Sequence, residues 1–452
     1  MKVHFIAIGG SAMHNLAIAL RKKGYQVSGS DDEIFEPARM RLQTHQLLPA
    51  VIGWDEQKII PDLDAVIVGM HARADNPELI RARHLGLKIF SYPEFLFNQS
   101  RDKTRVVIGG SHGKTTITAM ILHVLNYHNI ETDYMVGAQL QGFEVMVRLS
   151  QSAPTIIIEG DEYLSSPLDP RPKFHLYHPH IALISGIAWD HVNVFPTFDH
   201  YLEQFRKFIH LIRKSGKLIY SREDTVLQQL VQSEDVGSVE VIPYGLPDYE
   251  ISKGKTFLVS GNKKYSLEVF GRHNLMNIQG AGQVCRQLGV SPEMFFEAIS
   301  TFSGAGNRLE KVLDNGKTII FKDFAHAPSK LMATTQAVKE QFPDKKLVAC
   351  MELHTFSSLN RQFLSEYRHA MDAADQAIVF FDPHALKMKR LPGLHPDEVA
   401  SAFDKPGLQV VSDSNSFRQI IKDFSDDNTC YLFMSSGNFG GFDIKAFAGS
   451  FY

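Results

Sequence analysis

Cysteine is scarce in this 452-residue sequence, which contains only Cys285, Cys350 and Cys430. Because the three are widely spaced, they indicate neither a disulfide framework nor a metal-ligand cluster, and we expect a reducing compartment, the cytoplasm. An excess of positive charge is also missing, since 47 Lys and Arg residues face 50 Asp and Glu residues. That balance argues against a protein that binds nucleic acid through its charge.

Long apolar runs are missing as well. No segment approaches the roughly 18 consecutive apolar residues that a membrane-spanning helix needs, so we expect no membrane partner. The apolar run Val3–Ile8 ends in two glycines and predicts a buried first strand rather than a signal peptide. Hydrophobic residues nevertheless make up 44% of the chain, which is enough for sizeable globular cores.

The chain has the length of about three domains. Short β-rich runs alternate with helical segments, which predicts α/β domains built on parallel sheets. A polar stretch at Asn98–Arg105 and a glycine-rich one at Ser303–Gly306 predict the two boundaries. We therefore expect Rossmann-like N-terminal and C-terminal domains, at 1–102 and 307–452, and a central P-loop ATPase-type domain at 103–306.

The strongest local signal is the stretch Gly109–Thr116, with the sequence GGSHGKTT. It follows an apolar strand and opens a helix, the setting in which backbone N–H groups and a helix N-terminus converge on phosphate oxygens. Lys114 would neutralise the β- and γ-phosphates, and the Thr115 hydroxyl would bind Mg²⁺. Ile108 departs from the full pattern, which has glycine there. The predicted contacts to the nucleotide are Gly110, Ser111, His112, Gly113, Lys114, Thr115 and Thr116.

Polar side chains follow the next two predicted strands. Glu159 ends the strand Thr155–Glu159, and at the carboxyl end of an open parallel sheet it would lie beside the phosphate loop. We therefore predict that Glu159 binds Mg²⁺. His191 follows the strand Ile181–Ser185, but by residue type alone it is more readily a structural histidine, because Mg²⁺ prefers oxygen ligands.

Taken in order, these motifs resemble the Mur ligase family of ATP-dependent, amide-forming ligases of bacterial cell-wall synthesis. The phosphate loop, Glu159 and the pair Asp190–His191 are followed by the string GRHNLMN at 271–277. The strings NRLE at 307–310 and KDFAHAP at 322–328 are similar to the family's arginine-rich hinge element and its Asp-aromatic-x-His-x-Pro element. The resemblance covers nearly the whole chain.

The resemblance implies that the enzyme uses ATP and two Mg²⁺ ions. Lys114 would hold phosphate and Arg308 would contact the γ-phosphate. Thr115, Glu159 and His191 would bind the metal ions, which makes His191 a ligand after all. Lys114, His191 and Arg308 are thus the implied catalytic residues. The remaining implied contacts, to the adenine, the ribose or the metal region, are His273, Asn274, Asn277 and Asp323.

A second glycine-rich turn opens the chain at 9–13, and Asp31 follows it at about the spacing at which an acid meets a ribose or uracil. By itself this turn is a weak signal, because it lacks a complete G-x-G-x-x-G and an ordinary βα turn explains it. Together with the string HARADNPE at 71–78, it resembles the family branch that acts on UDP-N-acetylmuramic acid. The implied contacts to the UDP-sugar are Gly9, Gly10, Ser11, Ala12, Met13, Asp31, His71 and Asn76.

Two activities fit that acceptor: attachment of L-alanine, and attachment of a recovered tripeptide, L-Ala-γ-D-Glu-meso-diaminopimelate, in peptidoglycan recycling. The strings EGDEY at 159–163, DPRPKF at 169–174 and MSSGNFGG at 434–441 resemble the tripeptide-adding ligases. Gly160, Pro170 and Pro172 depart from that pattern, and the segment after Met351 lacks its Pro-Arg pair. We therefore predict the tripeptide ligase, with the alanine ligase as the alternative.

Two other classes of protein use parts of the same pattern. A nucleotide-driven motor or switch would share the phosphate loop but would not need the string GRHNLMN. A nicotinamide-linked dehydrogenase would use the first domain and would leave the central loop unexplained. The predicted partners are ATP, UDP-N-acetylmuramic acid and a peptide or amino acid, without nucleic acid or membrane, and the predicted state is a monomer or weak homodimer.

Overall fold

The computed structural model describes residues 1–140, 142–189, 194–306, 309–424 and 428–451. The chain divides into two compact units. The first contains 1–189, 194–245 and 280–298, and the second contains 246–279 and the residues from 299 onward. Both contain helices and sheets with mainly parallel long strands, which confirms the predicted α/β class. The domain boundaries at 102 and 306 stay predictions.

The first unit begins with a four-stranded parallel sheet. Its strands are β1 (Lys2–Ile6), β2 (Gln26–Ser30), β3 (Ala65–Val68) and β4 (Ile89–Ser91), in the order β2-β1-β3-β4. Its helices are α1 (Ser11–Lys22), α2 (Ala38–Thr44), α3 (Pro77–His84) and α4 (Tyr92–Gln99), with a 3-10 turn at Glu56–Lys58. Strand β3 is an unbroken run of buried apolar residues, as expected for a central parallel strand.

A seven-stranded sheet forms the rest of the first unit. Its strands are β5 (Thr104–Gly109), β6 (Asp133–Met135), β7 (Val147–Arg148), β8 (Thr155–Glu159), β11 (Ile181–Ile184), β12 (Lys217–Ser221) and β13 (Glu240–Tyr244). A small hairpin, β9 (Leu164–Ser166) and β10 (Asp169–Pro172), follows β8. The helices are α5 (Lys114–Tyr127), α6 (Phe198–His210) and α7 (Thr225–Ser233), with a 3-10 turn at Lys173–Leu176.

The strand order of this sheet, β13-β12-β11-β5-β8-β6-β7, positions the phosphate loop. Strand β5 lies between β8 and β11, and all three are parallel. The segments that follow these strands therefore emerge at one edge of the sheet, where open α/β sheets bind their ligands.

The second unit has two sheets. One is the antiparallel set β14 (Tyr249–Ser252), β15 (Lys255–Ser260) and β16 (Lys263–Leu267); helices α8 (Arg272–Gln287) and α9 (Pro292–Ile299) follow along the chain. The other is six-stranded, with β17 (Glu310–Asp314), β18 (Ile319–Asp323), β19 (Lys346–Leu353), β20 (Gln376–Phe381), β21 (Gln409–Val411) and β22 (Thr429–Met434).

The order of the six-stranded sheet is β17-β18-β22-β19-β20-β21, and only the edge strand β17 is antiparallel. Its helices are α10 (Pro328–Gln341), α11 (Pro383–Met388), α12 (Pro396–Phe403), α13 (Ser414–Asp423) and α14 (Ile444–Gly449), with a 3-10 segment at Arg361–Tyr367. None of the helices in the described ranges combines the length and the apolar character that a bilayer crossing requires.

The polar stretch Asn98–Arg105, one of the two predicted boundaries, contains the turn between α4 and β5. Helix α4 extends to Gln99 and β5 begins at Thr104, so only a short turn separates them. Arg105 is buried, because its guanidinium donates to the carbonyl oxygens of Ser100 and Tyr177 at 2.8 Å each. Backbone acceptors thus satisfy a charged side chain inside the unit, which composition alone does not reveal.

Candidate active site

The loop between β5 and α5 has the backbone of a phosphate-binding turn. Gly110 and Gly113 have φ values of 121° and 75°, which L side chains rarely adopt. A Cβ atom at Gly110 would also lie 2.9 Å from the backbone nitrogen of Ser185. The two glycines are therefore required by the conformation, and α5 begins directly after them at Lys114.

Lys114 is held between a carboxylate and a carbonyl group. Its Nζ donates to Glu162 Oε2 at 2.6 Å and to the carbonyl oxygen of Gly110 at 2.7 Å. Burial alone would lower the pKa of Lys114, but the nearby carboxylates of Glu162 and Asp161 outweigh it and raise the pKa. The lysine thus keeps its positive charge and is folded back over its own loop.

Thr115 and Glu159 meet at the metal position that the sequence predicts. The Thr115 hydroxyl donates to Glu159 Oε1 at 2.8 Å, and the Gly137 N–H donates to Glu159 Oε2 at 2.9 Å. Burial raises the pKa of Glu159, against the effect of these hydrogen bonds. A buried carboxylate beside a hydroxyl is an oxygen donor set that suits Mg²⁺. We call Gly110–Thr115, Gly137, Glu159 and Glu162 the nucleotide cradle.

The side chains of the described residues do not form a metal site of their own. No group of three or more His, Cys, Asp or Glu residues in the described ranges could hold an ion. Mg²⁺ in nucleotide sites usually keeps waters and phosphate oxygens as ligands, so a pair such as Thr115 and Glu159 fits the ion. His191, the other predicted ligand, and Arg308 lie outside the described residues.

A hydrogen-bond network that the sequence did not reveal supports the cradle. Ser111 Oγ and the Tyr201 hydroxyl are 2.8 Å apart, and Tyr201 donates to Glu162 Oε1 at 3.2 Å. The Ser111 N–H donates to the Gly186 carbonyl at 3.0 Å. Ser111, predicted as a phosphate contact, therefore ties the loop to its surroundings. Tyr201 lies on α6, 90 residues away, so no local pattern marks it.

His112 and Thr116, two further predicted contacts to the nucleotide, lie in the same loop and at the start of α5. The carbonyl oxygen of His112 accepts a hydrogen bond from the Ser185 hydroxyl. Thr116 is buried on the first turn of α5. Their predicted contacts to the nucleotide stay predictions.

In the second unit, Asp323 ends β18 with both oxygens engaged. Oδ1 accepts from the N–H groups of Leu309 and Phe324, at 3.0 and 2.8 Å, and Oδ2 accepts from Thr334 Oγ1 at 2.8 Å. The predicted role of Asp323 at the ribose or the metal region stays a prediction, and these bonds show that the side chain is rigidly held.

The string GRHNLMN forms the start of α8. Burial lowers the pKa of His273, and the negative charge of Asp323 opposes this shift only in part. His273 Nδ1 is a buried atom without a hydrogen-bond partner in the described part of the chain. Asn274 and Asn277 are also buried, and Asn274 Nδ2 donates to the carbonyl of Phe270 at 2.8 Å. The lowered pKa favours a neutral imidazole at the start of α8.

The first unit contains a cavity of about 1230 Å³, which we call the sugar cavity. Four predicted UDP-sugar contacts lie in its wall: Gly9, Ser11, His71 and Asn76. Asn76 also caps α3, because its Oδ1 accepts from Leu79 N at 3.1 Å. The wall further contains Arg73 and Asp75 of the string HARADNPE, and groups that the sequence did not indicate: His14, Asn15, Asp32, Arg41 and Gln139.

The other predicted sugar contacts lie next to this wall. Asp31 Oδ2 accepts from the Gly9 N–H at 2.7 Å and so fixes the glycine turn. Burial, and then the neighbouring Asp32, raise the pKa of Asp31 to about 6. Gly10 precedes the first residue of α1, Ala12 is exposed, and Met13 is buried in the core.

A polar cluster in the second unit joins the end of β19 to the string MSSGNFGG at 434–441. Glu352, near the end of β19, is buried and accepts hydrogen bonds from the Ser435 hydroxyl and, at 2.8 Å, from the Phe439 N–H. His354 Nδ1 lies 3.8 Å from Glu352 Oε1. The Ser436 hydroxyl is buried without a partner in the described residues. An acid near the carboxyl end of a predicted strand was the available signal for Glu352.

The fold and the nucleotide cradle define an α/β enzyme that uses a nucleoside triphosphate. A family model described as Mur ligase family, catalytic domain, matches residues 2–104, and one described as Mur ligase middle domain matches residues 108–285. The chain is 31% identical to the UDP-N-acetylmuramate–L-alanine ligase of Caldicellulosiruptor bescii, over 92% of this chain and 90% of the relative. The chain belongs to the Mur ligase family.

Solved structures agree in fold. MurC from Thermotoga maritima, a UDP-N-acetylmuramate–alanine ligase, superposes with a TM-score of 0.70 at 23% identity, over 100% of this chain and 98% of that one. The murein peptide ligase Mpl from Psychrobacter arcticus 273-4 gives 0.64 at 23% identity, with the same coverage. The protein is thus an ATP-dependent amide-bond ligase of peptidoglycan synthesis, from a family that uses ATP, generally with Mg²⁺, and small-molecule substrates.

Proposed function

We propose that the enzyme joins L-Ala-γ-D-Glu-meso-diaminopimelate to the lactyl carboxylate of UDP-N-acetylmuramic acid, in peptidoglycan recycling. The observation that carries this choice is that two strings typical of tripeptide-adding ligases, 159–163 and 169–174, form one folded piece. Lys173 N donates to the Tyr163 carbonyl at 3.0 Å, and Phe174 N donates to the Asp161 carbonyl at 3.1 Å. This piece includes Glu162, the partner of Lys114.

The alternative is a ligase that adds L-alanine to the same acceptor. This alternative is favoured by the 31% identity with the Caldicellulosiruptor bescii protein, which is named as an L-alanine ligase. The sugar cavity and the nucleotide cradle serve both activities, so the alternatives differ only in the amine that attacks.

In this proposal the nucleotide cradle binds ATP with two Mg²⁺ ions. Thr115 and Glu159 hold one ion, and His191 holds the second. Lys114 moves from Glu162 to the phosphates, and Arg308 contacts the γ-phosphate. Bound Mg²⁺ supplies positive charge where two anions, the triphosphate and the carboxylate, must approach each other. The further ATP contacts are His273, Asn274, Asn277 and Asp323.

The chemistry follows from the poor reactivity of a carboxylate. Transfer of the γ-phosphate to the lactyl carboxylate gives an acyl phosphate, with ADP as the leaving group. The amine attacks this acyl carbon and expels phosphate, so that an amide forms. Lys114 and Arg308 stabilise the charge that moves between the phosphates, and the protein contributes mainly position and electrostatics.

The sugar cavity receives the UDP-sugar in this proposal. Gly9, Ser11, His71 and Asn76 line it, and Asp31 holds the turn that carries Gly9. Its volume, about 1230 Å³, lies above the usual range for drug-sized ligands and suits a nucleotide sugar.

We assign the incoming amine to the cluster of Glu352, His354 and Ser436. A buried carboxylate and an unpartnered hydroxyl are suited to bind the polar backbone of an amino acid or a peptide. Ser436 belongs to the string MSSGNFGG, which is a further resemblance to tripeptide-adding ligases. We place the reaction in the cytoplasm, in keeping with three free, buried cysteines, and propose a monomer or weak homodimer.

The test is phosphate release in the presence of ATP, Mg²⁺ and UDP-N-acetylmuramic acid, with either the tripeptide or L-alanine in parallel. The proposal predicts rapid release with the tripeptide and little with L-alanine. Release with L-alanine and not with the tripeptide would establish the alternative. Release with neither amine would contradict both.

A further inference from the structure

Arg41, on helix α2, lines the sugar cavity, although its sequence context gives no sign of a site. Its Nη1 lies 3.4 Å from His14 Nε2, and its Nη2 donates to Gln139 Oε1. Both of these side-chain partners lie in the described residues, and both are neutral groups. A guanidinium held by neutral acceptors at a cavity wall keeps its full charge for a ligand.

The protonation of His14 follows from its contacts. Its Nδ1 lies 2.9 Å from the Gly10 carbonyl, which can only accept, so Nδ1 carries the hydrogen. In the neutral ring, Nε2 is then an acceptor, and the Arg41 guanidinium and Asn15 Nδ2 face it as donors. Burial, and then the positive charge of Arg41, lower the pKa of His14, which keeps the ring neutral. One imidazole ring therefore links Arg41 to the glycine turn.

Gln139 is fixed from the other side. Its Nε2 donates to the carbonyl oxygens of Leu140 and Phe143, at 3.0 and 2.7 Å, and this turns Oε1 toward Arg41. The same segment contains Gly137, which donates to Glu159 in the nucleotide cradle. It is anchored to α1 as well, because Met146 N donates to Asn15 Oδ1 at 2.8 Å.

We propose that Arg41 binds the diphosphate of the nucleotide sugar, and that His14 and Gln139 are positioning residues that aim its guanidinium. The inference rests on the proposed function, since it requires the UDP-sugar to occupy this cavity. The cavity wall also contains acids, among them Asp32 and Asp75, and a second guanidinium, that of Arg73. A diphosphate would need a cation there, and Arg41 supplies a planar fork, oriented by His14 and Gln139, that matches phosphate oxygens.

The experiment compares the binding of UDP and of uridine by titration calorimetry. The wild-type enzyme should bind UDP more tightly than uridine, because only UDP has the diphosphate. Arg41→Met should weaken UDP binding about tenfold or more and leave uridine binding unchanged, as expected when a charged hydrogen-bond pair is lost. Arg41→Lys, which keeps the charge without the fork, should retain part of the preference and guards against a folding artefact.

A matched control variant distinguishes recognition of the diphosphate by Arg41 from a merely structural role of its side chain. Lys22 on α1 also contacts this region, through an exposed pair with Glu144 at 2.6 Å, but it lies outside the cavity wall. Lys22→Met should leave the preference for UDP intact. Gln139→Leu should raise the KM for UDP-N-acetylmuramic acid severalfold without changing the KM for ATP. Gln139→Glu should not restore the KM, because its carboxylate would compete with the diphosphate for the Arg41 guanidinium and would lack the Nε2 donor.

The outcomes are distinct. An unchanged UDP-to-uridine ratio in Arg41→Met would overturn the assignment of Arg41. Equal losses in Arg41→Met and Lys22→Met would also overturn it, because they would indicate a merely structural role. Failure of the wild-type enzyme to bind UDP-N-acetylmuramic acid would instead refute the proposed sugar site itself.

Discussion

Lys114 in the nucleotide cradle and Arg41 in the sugar cavity are both cations assigned to phosphate, but their surroundings differ. Lys114 is paired with Glu162, within a network that includes Tyr201. Arg41 is held by the neutral groups of His14 and Gln139. The cradle must therefore exchange an internal ion pair for its ligand, whereas the cavity presents a cation that is already free to bind one. Substitutions in the cradle and in the cavity test this contrast.

The largest effect is expected from Lys114→Ala. Loss of the cation removes the charge that faces the phosphates and takes from the buried Glu162 carboxylate its ion pair with the lysine. We expect kcat for ADP release to fall about a thousandfold or more. Lys173→Met, which removes the neighbouring pair with Asp161, is the control and should retain most of the activity. Substantial turnover in Lys114→Ala would refute the cradle.

Glu162→Gln tests whether the internal pair keeps Lys114 charged. Glu162 helps to raise the pKa of Lys114 against burial, so its loss should lower that pKa. Neutral lysine is inactive, and activity is lost as the pH rises through this pKa. The alkaline limb of the kcat/KM profile for ATP should therefore move to lower pH, with about half of the activity lost at its new midpoint and about tenfold lost one pH unit above it.

Glu203→Gln, on the exposed face of α6, is the matched control for this substitution. It should leave the pH profile in place. An alkaline limb at the wild-type position in Glu162→Gln would mean that the ion pair does not set the charge of Lys114.

Thr115→Val probes the metal position. The variant loses the hydroxyl that contacts Glu159 and that we assign to Mg²⁺. About ten times more Mg²⁺ should be needed for half-maximal activity. Thr118→Val is a matched control on the same helix, because Thr118 Oγ1 is buried without a partner in the described chain. Equal Mg²⁺ requirements in the two variants would exclude Thr115 as a ligand.

The smallest effect is expected in the sugar cavity, from Asp31→Asn. The folded-state pKa of Asp31, about 6, exceeds its ordinary value, so the folded protein loses stability as the pH rises toward 6 and remains destabilised above it. The asparagine variant should lack this dependence, a difference of about 1–3 kcal/mol. Urea unfolding between pH 4 and 7 measures it, with the exposed Asp62→Asn as control. Parallel curves for the wild type and Asp31→Asn would contradict the shift.

The site residues that could be predicted from the sequence are those that belong to a short motif or to the end of an apolar strand. Lys114 and Thr115 follow two glycines at the end of a strand, and Glu159 ends the strand that pairs with it. Their assembly was predictable, because parallel strands deliver their carboxyl ends to one edge. In the same way, the β-rich and helical runs predicted the α/β class, whereas the burial of Arg105 could not be predicted from the polar composition of its stretch.

The residues that were missed depend on contacts between distant segments. Arg41 and Gln139 are 98 residues apart, and Ser111 and Tyr201 are 90 apart. No periodicity or motif spacing encodes such pairs, since they are created when α2 and α6 pack against loops of the same unit. For Glu352, the position near the end of an apolar strand could be predicted from the sequence. Its hydrogen bond with Ser435 could not be predicted.

The central claim is that the enzyme activates the lactyl carboxylate by phosphorylation. The most direct measurement uses UDP-N-acetylmuramic acid labelled with a heavy oxygen isotope in that carboxylate, together with ATP, Mg²⁺ and the tripeptide. One labelled oxygen should pass into the phosphate released at each turnover, as mass spectrometry would detect. Amide formation that yields phosphate without the label would contradict it.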